Sequence, residues 1–229
     1  MYYIGVDLGT SAVKLVLMQG DGTIKNVISK SYELYFPHPG WSEQKPEDWW
    51  KATIEGLKEL TAEHDKTQIS GISFGGQMHG LVILDDKDEV IRPAILWNDG
   101  RTQKQTDYLN EVIGKDKLSE YTANIAFAGF TAPKILWLKE NEPENFAKIW
   151  EKTIEEMEKS GNPLFLEKED KEKLLSLGGQ LGYLDTQMQE RTLLLYLEQL
   201  ELSISGLRGE IREKCRLSTA LGVMGSLFL

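Results

Sequence analysis

Residues 71–101 read GISFGGQMHGLVILDDKDEVIRPAILWNDGR, and this stretch settles most of what the first part of the chain is. The apolar run at 69–74 predicts a small buried strand that ends in Gly75-Gly76. The loop that follows, Gly75-Gly76-Gln77-Met78-His79-Gly80, stands at the carboxyl end of that strand, where open α/β sheets place ligands. Its glycines let the backbone curve tightly and leave Gln77 and His79 as polar groups able to face a ligand. A polyol needs paired donors and acceptors around its hydroxyls, which an amide and a neutral imidazole supply, and Met78 offers an adaptable apolar wall. On residues alone, a structural hydrogen bond is the competing role for His79 and the commoner one beside glycine. Residues 81–84 and 90–91 flank an acidic turn at 85–88 and predict a hairpin. Trp97-Asn98-Asp99-Gly100-Arg101 brings an aromatic, an amide, an acid and a guanidinium to another strand end. A helix N-cap at Asn98 or Asp99 is the plain alternative there.

Working outward, residues 4–14 read IGVDLGTSAVK, an apolar strand, a Gly turn and a second strand that pairs back. Phosphate held at such a turn is cradled by backbone N–H groups, and Gly9 permits the close approach that a Cβ would block. Thr10 and Ser11 add hydroxyl donors, and Lys14 adds a cation. Asp7 repels phosphate, so its sensible task is to hold Mg²⁺ beside it. A structural turn in which Asp7 only caps the backbone has equal standing. A second turn at 19–22 leads to a third strand over 24–34, so an antiparallel meander is expected. Pro46 opens a helix at its first-turn position, with apolar residues at helical spacing over 49–60. Further helices are expected at 101–113 and 133–140.

The formal net charge of −10 and the absence of any basic run argue against nucleic acid as a partner. Cys215 is the only cysteine, which excludes an intrachain disulfide and a cysteine-built metal site and fits a reducing, cytoplasmic setting. No secretory signal pattern opens the chain. Residues 217–229, LSTALGVMGSLFL, carry no charge but fall short of the roughly 20 apolar residues of a spanning helix. They read either as a buried helix or as a membrane span cut short, so membrane association has little support.

All six tryptophans and all three histidines lie at or before residue 150, as does every proline except Pro163. Beyond it the chain is rich in Leu, Glu and Lys and reads as all-α. One helix is expected over 168–181, stopped by Gly182, and Asp185 then caps a long helix. In that helix Leu193, Leu197, Leu200, Ile204, Leu207 and Ile211 alternate four-three spacing. Ordinary packing within the chain and a coiled coil with a partner, including a homo-oligomer, both remain open for that stripe.

Five motifs, IGVDLGTSAVK, PHPGWSEQKPEDWW, GQMHG, RPAILWNDGRT and GFTAPKILWLKENEPE, occur in order over residues 1–149. Together they resemble the FGGY carbohydrate kinases of xylulokinase type. The resemblance implies an α/β fold: part of an actin-like, ribonuclease H-like ATPase domain, followed here by an all-α segment. It implies ATP-dependent phosphorylation of D-xylulose to D-xylulose 5-phosphate in the intact family, with ATP and Mg²⁺ as cofactors. Asp7 would serve catalysis in the metal and phosphate region, Thr10, Ser11 and Lys14 would lie beside the ATP phosphates, and Gln77, Met78 and His79 would face the pentulose. The family's catalytic aspartate, its second phosphate motif and its adenosine site lie beyond residue 149, so this portion is expected to be inactive alone.

Residues 150–229 resemble the C-terminal part of stage III sporulation protein AB, a membrane-anchored component of a channel complex in spore-forming bacteria. The motifs that carry this are LLSLGGQLGYLDTQMQ, the heptad helix and LGVMGSLFL. The expectation is therefore a chain of two parts, 1–149 and 150–229, joined within 147–153. The alternative is a non-enzymatic interaction protein whose sugar-binding remnant is tethered through the heptad helix to a membrane or an oligomeric partner.

Overall fold

Ile4 and Val6 on one strand and Val13, Leu15 and Leu17 on the next share one face, and the first part of the fold is assembled on that face. The computed structural model describes residues 1–159, 168–180 and 186–226. In it β1 (Tyr2–Leu8) pairs antiparallel with β2 (Ala12–Gln19), and β2 with β3 (Ile24–Ser31). The turn between β2 and β3 places Gly22 at φ +90, a left-handed value that glycine alone takes freely. This is the expected meander.

Two short segments and a helix complete the frame. β4 (Glu43–Gln44) leads into α1 (Pro46–Leu60), with Pro46 at the helix start and Glu47 and Asp48 in the first turn, where they favour the positive end of the helix dipole. α1 lays Ala52 and Leu60 on the sheet, with Leu57, Ile28 and Tyr32 packed around them. At Gly56 a Cβ would come within 2.5 Å of Leu15 Cδ1, so the helix backbone rests directly on β2. β5 (Ile69–Gly76) then runs parallel to β1, which gives the sheet order β3-β2-β1-β5. β6 (Ala94–Ile95) pairs antiparallel with β4 in a separate two-stranded sheet.

The strand at 69–74 forms, but it is not buried. Ile69 packs on the core, whereas Ile72 is 47% exposed and Phe74 71% exposed. β5 is an edge strand, and α1 covers β2 and β3 instead. The acidic turn closes as expected: Leu84 bridges Val90, and Asp85 Oδ1 accepts from the backbone N–H of Lys87 and Glu89.

The expected helix over 101–113 is α2 (Gln103–Tyr108), which continues as a π-helical turn at Leu109–Gly114. α3 (Lys115–Thr122) and α4 (Thr131–Asn141) follow, the latter spanning the helix expected at 133–140. α5 (Pro143–Lys159) had no counterpart in the sequence reading and passes unbroken through residues 149 and 150.

The chain forms two compact units, Met1–Asn145 and Phe146–Leu229. In the second, α6 (Lys168–Gln180) and α7 (Thr186–Ser226) pair, and Ser203 Oγ donates to the buried Asp170 at 3.1 Å. Trp150 Nε1 donates to the Leu174 carbonyl at 2.8 Å, and a Cβ on Gly178 would overlap the indole at 1.9 Å. The heptad stripe stays outward: Leu193, Leu197, Ile204, Leu207 and Ile211 are 36–59% exposed. The expected stop at Gly182, the cap at Asp185 and the side chain of Cys215 lie outside the described residues. Among the described residues no helix is long and apolar enough to cross a membrane.

Leu17 has no exposed surface in the core of the first unit. Its replacement by alanine is expected to lower stability by about 2–5 kcal/mol in urea denaturation followed by circular dichroism.

Candidate functional site

β1 and β5 run parallel, so their carboxyl ends lie side by side, with Asp7 opposite Gly75 and Leu8 opposite Gly76. The ladder extends one step further, because Gln77 N–H donates to the Leu8 carbonyl at 2.8 Å. Two loops that are distant in sequence are thereby brought to one edge of the sheet. Close approach sets the residues there: a Cβ on Gly9 would lie 3.0 Å from the Ala12 carbonyl, and one on Gly76 would lie 3.0 Å from the Leu8 carbonyl.

Between the loops is an open cleft of ≈ 390 Å³ lined by Asp7, Gly9, Thr10, Gly76, Gln77, Met78, His79 and Trp97. Asp7, Thr10, Gln77, Met78 and His79 were all singled out from sequence, and the fold brings them together. Lys14 and Ser11 do not line this cleft. Lys14 pairs in register with Asp7 and lines an adjoining hollow of ≈ 300 Å³ with Asp7, Ser73 and Gly75, while Ser11 is exposed at the turn. Asp7 therefore borders both hollows.

The polar groups of the cleft are partly committed. Thr10 Oγ1 accepts from Trp97 Nε1 at 3.0 Å, which leaves its own O–H to donate. The Thr10 carbonyl accepts from Gln44 Nε2 at 2.6 Å. Gln77 Nε2 donates to Gln44 Oε1 at 3.2 Å, whereas Gln77 Oε1 is buried without a hydrogen-bond partner. A buried acceptor in that state costs about 1–3 kcal/mol, so a donor is expected opposite it. Met78 is 70% exposed and forms a free apolar wall. His79 takes φ +62, a left-handed value uncommon outside glycine, and its ring stacks on Phe130 at 4.3 Å and 22°.

Tyr32 tethers the turn from below, its hydroxyl donating to the Gly9 carbonyl. Burial first, and the Asp7 charge second, push the Tyr32 hydroxyl up to about 12, so it stays protonated and able to donate. Among the described residues no group of three or more His, Cys, Asp and Glu could hold a metal ion. Asp7 is a lone carboxylate, which suits Mg²⁺ that keeps its waters and shares phosphate oxygens rather than an all-protein cage.

Asp99 and Arg101 do not face the cleft. Arg101 Nε and Nη2 grip Asp99 at 2.9 and 2.8 Å, Nη2 also reaches Glu43 at 2.7 Å, and the guanidinium lies 3.7 Å over the Trp41 ring. Arg92 pairs with the same Glu43 carboxylate. Neither Asn98 nor Asp99 caps the next helix, since Thr102 holds that position and Asp99 accepts from Ser42 N–H instead. This brace joins β4 to the 97–101 loop and so sets where Trp97 stands.

Sequence reasoning did not single out Gln44, Tyr32, Phe130 or Lys134. Lys134 has no exposed surface, and its Nζ donates to the carbonyls of His79 at 2.5 Å and Gly129 at 2.7 Å. Burial lowers its pKa to about 8, with Asp99 pulling it up and Arg101 pushing it down. The folded value lies below the ordinary 10.5. Below pH 8 both states carry the proton and burial of the charge counts fully against folding. Between 8 and 10.5 the folded chain releases its proton first, so stability rises with pH over that window. The melting temperature of the wild type relative to Lys134→Met is expected to climb between pH 7.5 and 10, and a flat difference would contradict this.

Residues 2–157 match the model of the N-terminal domain of the FGGY family of carbohydrate kinases. Residues 127–229 match that of stage III sporulation protein AB, so 127–157 fall within both matches. The chain is 50% identical over 149 residues to the xylulose kinase of Bacillus subtilis, covering 64% of this chain and 30% of that protein. It is 42% identical over 149 residues to the xylulose kinase of Staphylococcus xylosus, covering 65% of this chain and 31% of that protein. The chain thus spans about a third of the length of these curated relatives. Among solved structures, a xylulose kinase from Rhodospirillum rubrum aligns with a TM-score of 0.63 at 30% identity, covering 66% of this chain and 31% of that one. A xyloylose kinase from Brucella ovis aligns with a TM-score of 0.62 at 41% identity over the same shares.

Proposed function

Because the chain belongs over residues 2–157 to the FGGY family of carbohydrate kinases, as its N-terminal domain, we propose that the cleft between the β1 and β5 loops is a sugar site and that its ligand is a pentulose, D-xylulose first. The observation that carries this is the convergence of a free hydroxyl donor (Thr10), an amide side chain (Gln77), an imidazole (His79) and two apolar walls (Met78 and Trp97) on one ligand-sized cleft. A polyol satisfies each of these groups at once. The xylulose kinase names of the relatives support the same ligand.

The adjoining hollow suits the phosphate end of a Mg²⁺–ATP complex. Asp7 would hold the metal and Lys14 would supply positive charge beside it, since both line that hollow, whereas Thr10 and Ser11, which the family resemblance sets beside the phosphates, stand at the turn outside it. The metal neutralises charge on the transferring phosphoryl group when bound. Transfer also needs a base beside the accepting hydroxyl and a second domain that closes over the nucleotide. The kinase match ends at residue 157, and the following residues match a different family. The chain by itself is therefore read as a sugar- and phosphate-binding portion that does not turn over ATP, joined to a helical segment resembling the sporulation protein and residing in the cytoplasm.

Calorimetric titration of the full chain with D-xylulose is expected to show binding that weakens at least tenfold in His79→Ala. No heat at millimolar sugar would remove the reading. Release of ADP that depends on D-xylulose and is lost in Asp7→Ala would instead revive a working kinase.

The outward stripe of α7 favours a second reading for the helical segment. Leu197 and Ile204 are 56% and 47% exposed, and they carry the four-three spacing that two helices bury by knobs-into-holes packing. A second copy of this chain is the proposed partner. Sedimentation is expected to show a dimer in the wild type and a monomer in Leu197→Glu/Ile204→Glu; a monomeric wild type at tens of micromolar would sink the proposal.

A further inference from the structure

A fully buried ammonium is an unusual group to find against neutral acceptors. The hydrogen-bond partners of Lys134 Nζ are two backbone carbonyls, of His79 and of Gly129, from segments far apart in sequence. Taking a cation out of water without an ion pair is costly, and a Leu or Met would fill the same space without that cost. Its place in the first turn of α4 adds to the penalty, because the helix dipole is positive there. The residue at that position is poorly suited to being core filling.

What it ties together is the ligand-facing side of the cleft. His79 is held at φ +62, and its ring lies on Phe130, the residue that follows Gly129. Gly129 itself lies so close to Trp97 that a Cβ there would stand 2.3 Å from the Trp97 carbonyl. Trp97 in turn donates to Thr10. One ammonium thus connects the His79 loop to the turn that seats Trp97.

We propose that Lys134 is the positioning residue of this cleft: by donating to the carbonyls of His79 and Gly129 it holds His79 in a left-handed conformation, ring against Phe130, with the imidazole presented to the ligand. Only the functional consequence rests on the reading of the cleft as a sugar site. The placement of His79 stands without it. Asp99 and Arg101 are the charged groups that act on Lys134, and neither takes its place on the carbonyls.

The test is carried out on the full chain with carbon-13-labelled histidine. The three histidines give a short spectrum, in which His79→Gly identifies the His79 ring signal. Stacking on Phe130 is expected to displace that signal from the free-imidazole position. In a folded Lys134→Met variant it should move back toward that position while His38 and His64 stay in place, and D-xylulose affinity should fall at least tenfold. A folded Lys134→Met with an unmoved His79 signal overturns the proposal. If Lys134→Met does not fold, the double variant His79→Gly/Lys134→Met decides, since glycine takes the left-handed conformation unaided. Recovery of the fold supports the proposal, and failure to recover shows Lys134 to be a general core requirement. If the wild type binds no D-xylulose, the sugar reading falls, and the His79 signal still decides the role of Lys134.

Discussion

The parallel pairing of β1 with β5 is the constraint on which the site depends. Its register sets Asp7 against Gly75 and Leu8 against Gly76, and the bond from Gln77 N–H to the Leu8 carbonyl carries it into the loop. Side chains alternate along a strand, so a slip of β5 by one residue would turn each of its side chains to the opposite face and set Asp7 against Phe74 or Gly76. The turn after β1 and the loop after β5 meet only because both strands end at the same level. The small residues at this edge follow from the same fact, since a Cβ at Gly9 or Gly76 would press on a backbone carbonyl.

Around that edge the protein spends charge on placement. Arg101 and Arg92 converge on Glu43, Arg101 also grips Asp99, and both guanidiniums lie near the Trp137 ring. These groups fix the loop that carries Trp97. Breaking such a buried pair from one side leaves an uncompensated charge, which is more damaging than never having had the pair. Lys134 works differently, because its partners are uncharged carbonyls and the geometry it maintains is that of a single left-handed residue. The side-chain groups that line the cleft, by contrast, are few: a carboxylate, a hydroxyl, an amide, an imidazole, a thioether and an indole.

The meander and α1 were legible because their signals are local. Alternation in 2–19 and the proline before a helical run at 46–60 need no knowledge of the rest of the fold. The exposure of Ile72 and Phe74 was not legible, since a strand at a sheet edge and a strand inside it carry the same apolar run. α5 does carry a local signal, with Pro143 at the helix start and Phe146, Ile149, Trp150 and Ile154 at helical spacing. The fall in Trp, His and Pro near residue 150 drew attention to a boundary instead. Asp99 and Arg101 looked like ligand groups because the sequence alone does not say that they face each other and Glu43. Lys134 sits in a motif quoted for family resemblance, yet nothing local marks a lysine as buried. The spacing of the heptad stripe is legible in the sequence, but whether it faces a neighbour or water depends on how α6 seats, which is a tertiary matter.

The most direct measurement of the central claim is a titration of the full chain with D-xylulose, followed by the methyl signals of methionine and threonine and the indole signals of tryptophan. If the two loops form one sugar site, Met78, Thr10 and Trp97 will shift together with a single midpoint, while Met18 on β2 and Trp50 on α1 stay where they are. If these three signals do not move, or move with different midpoints, the cleft is not a sugar site and the alignment of β1 with β5 serves the fold alone.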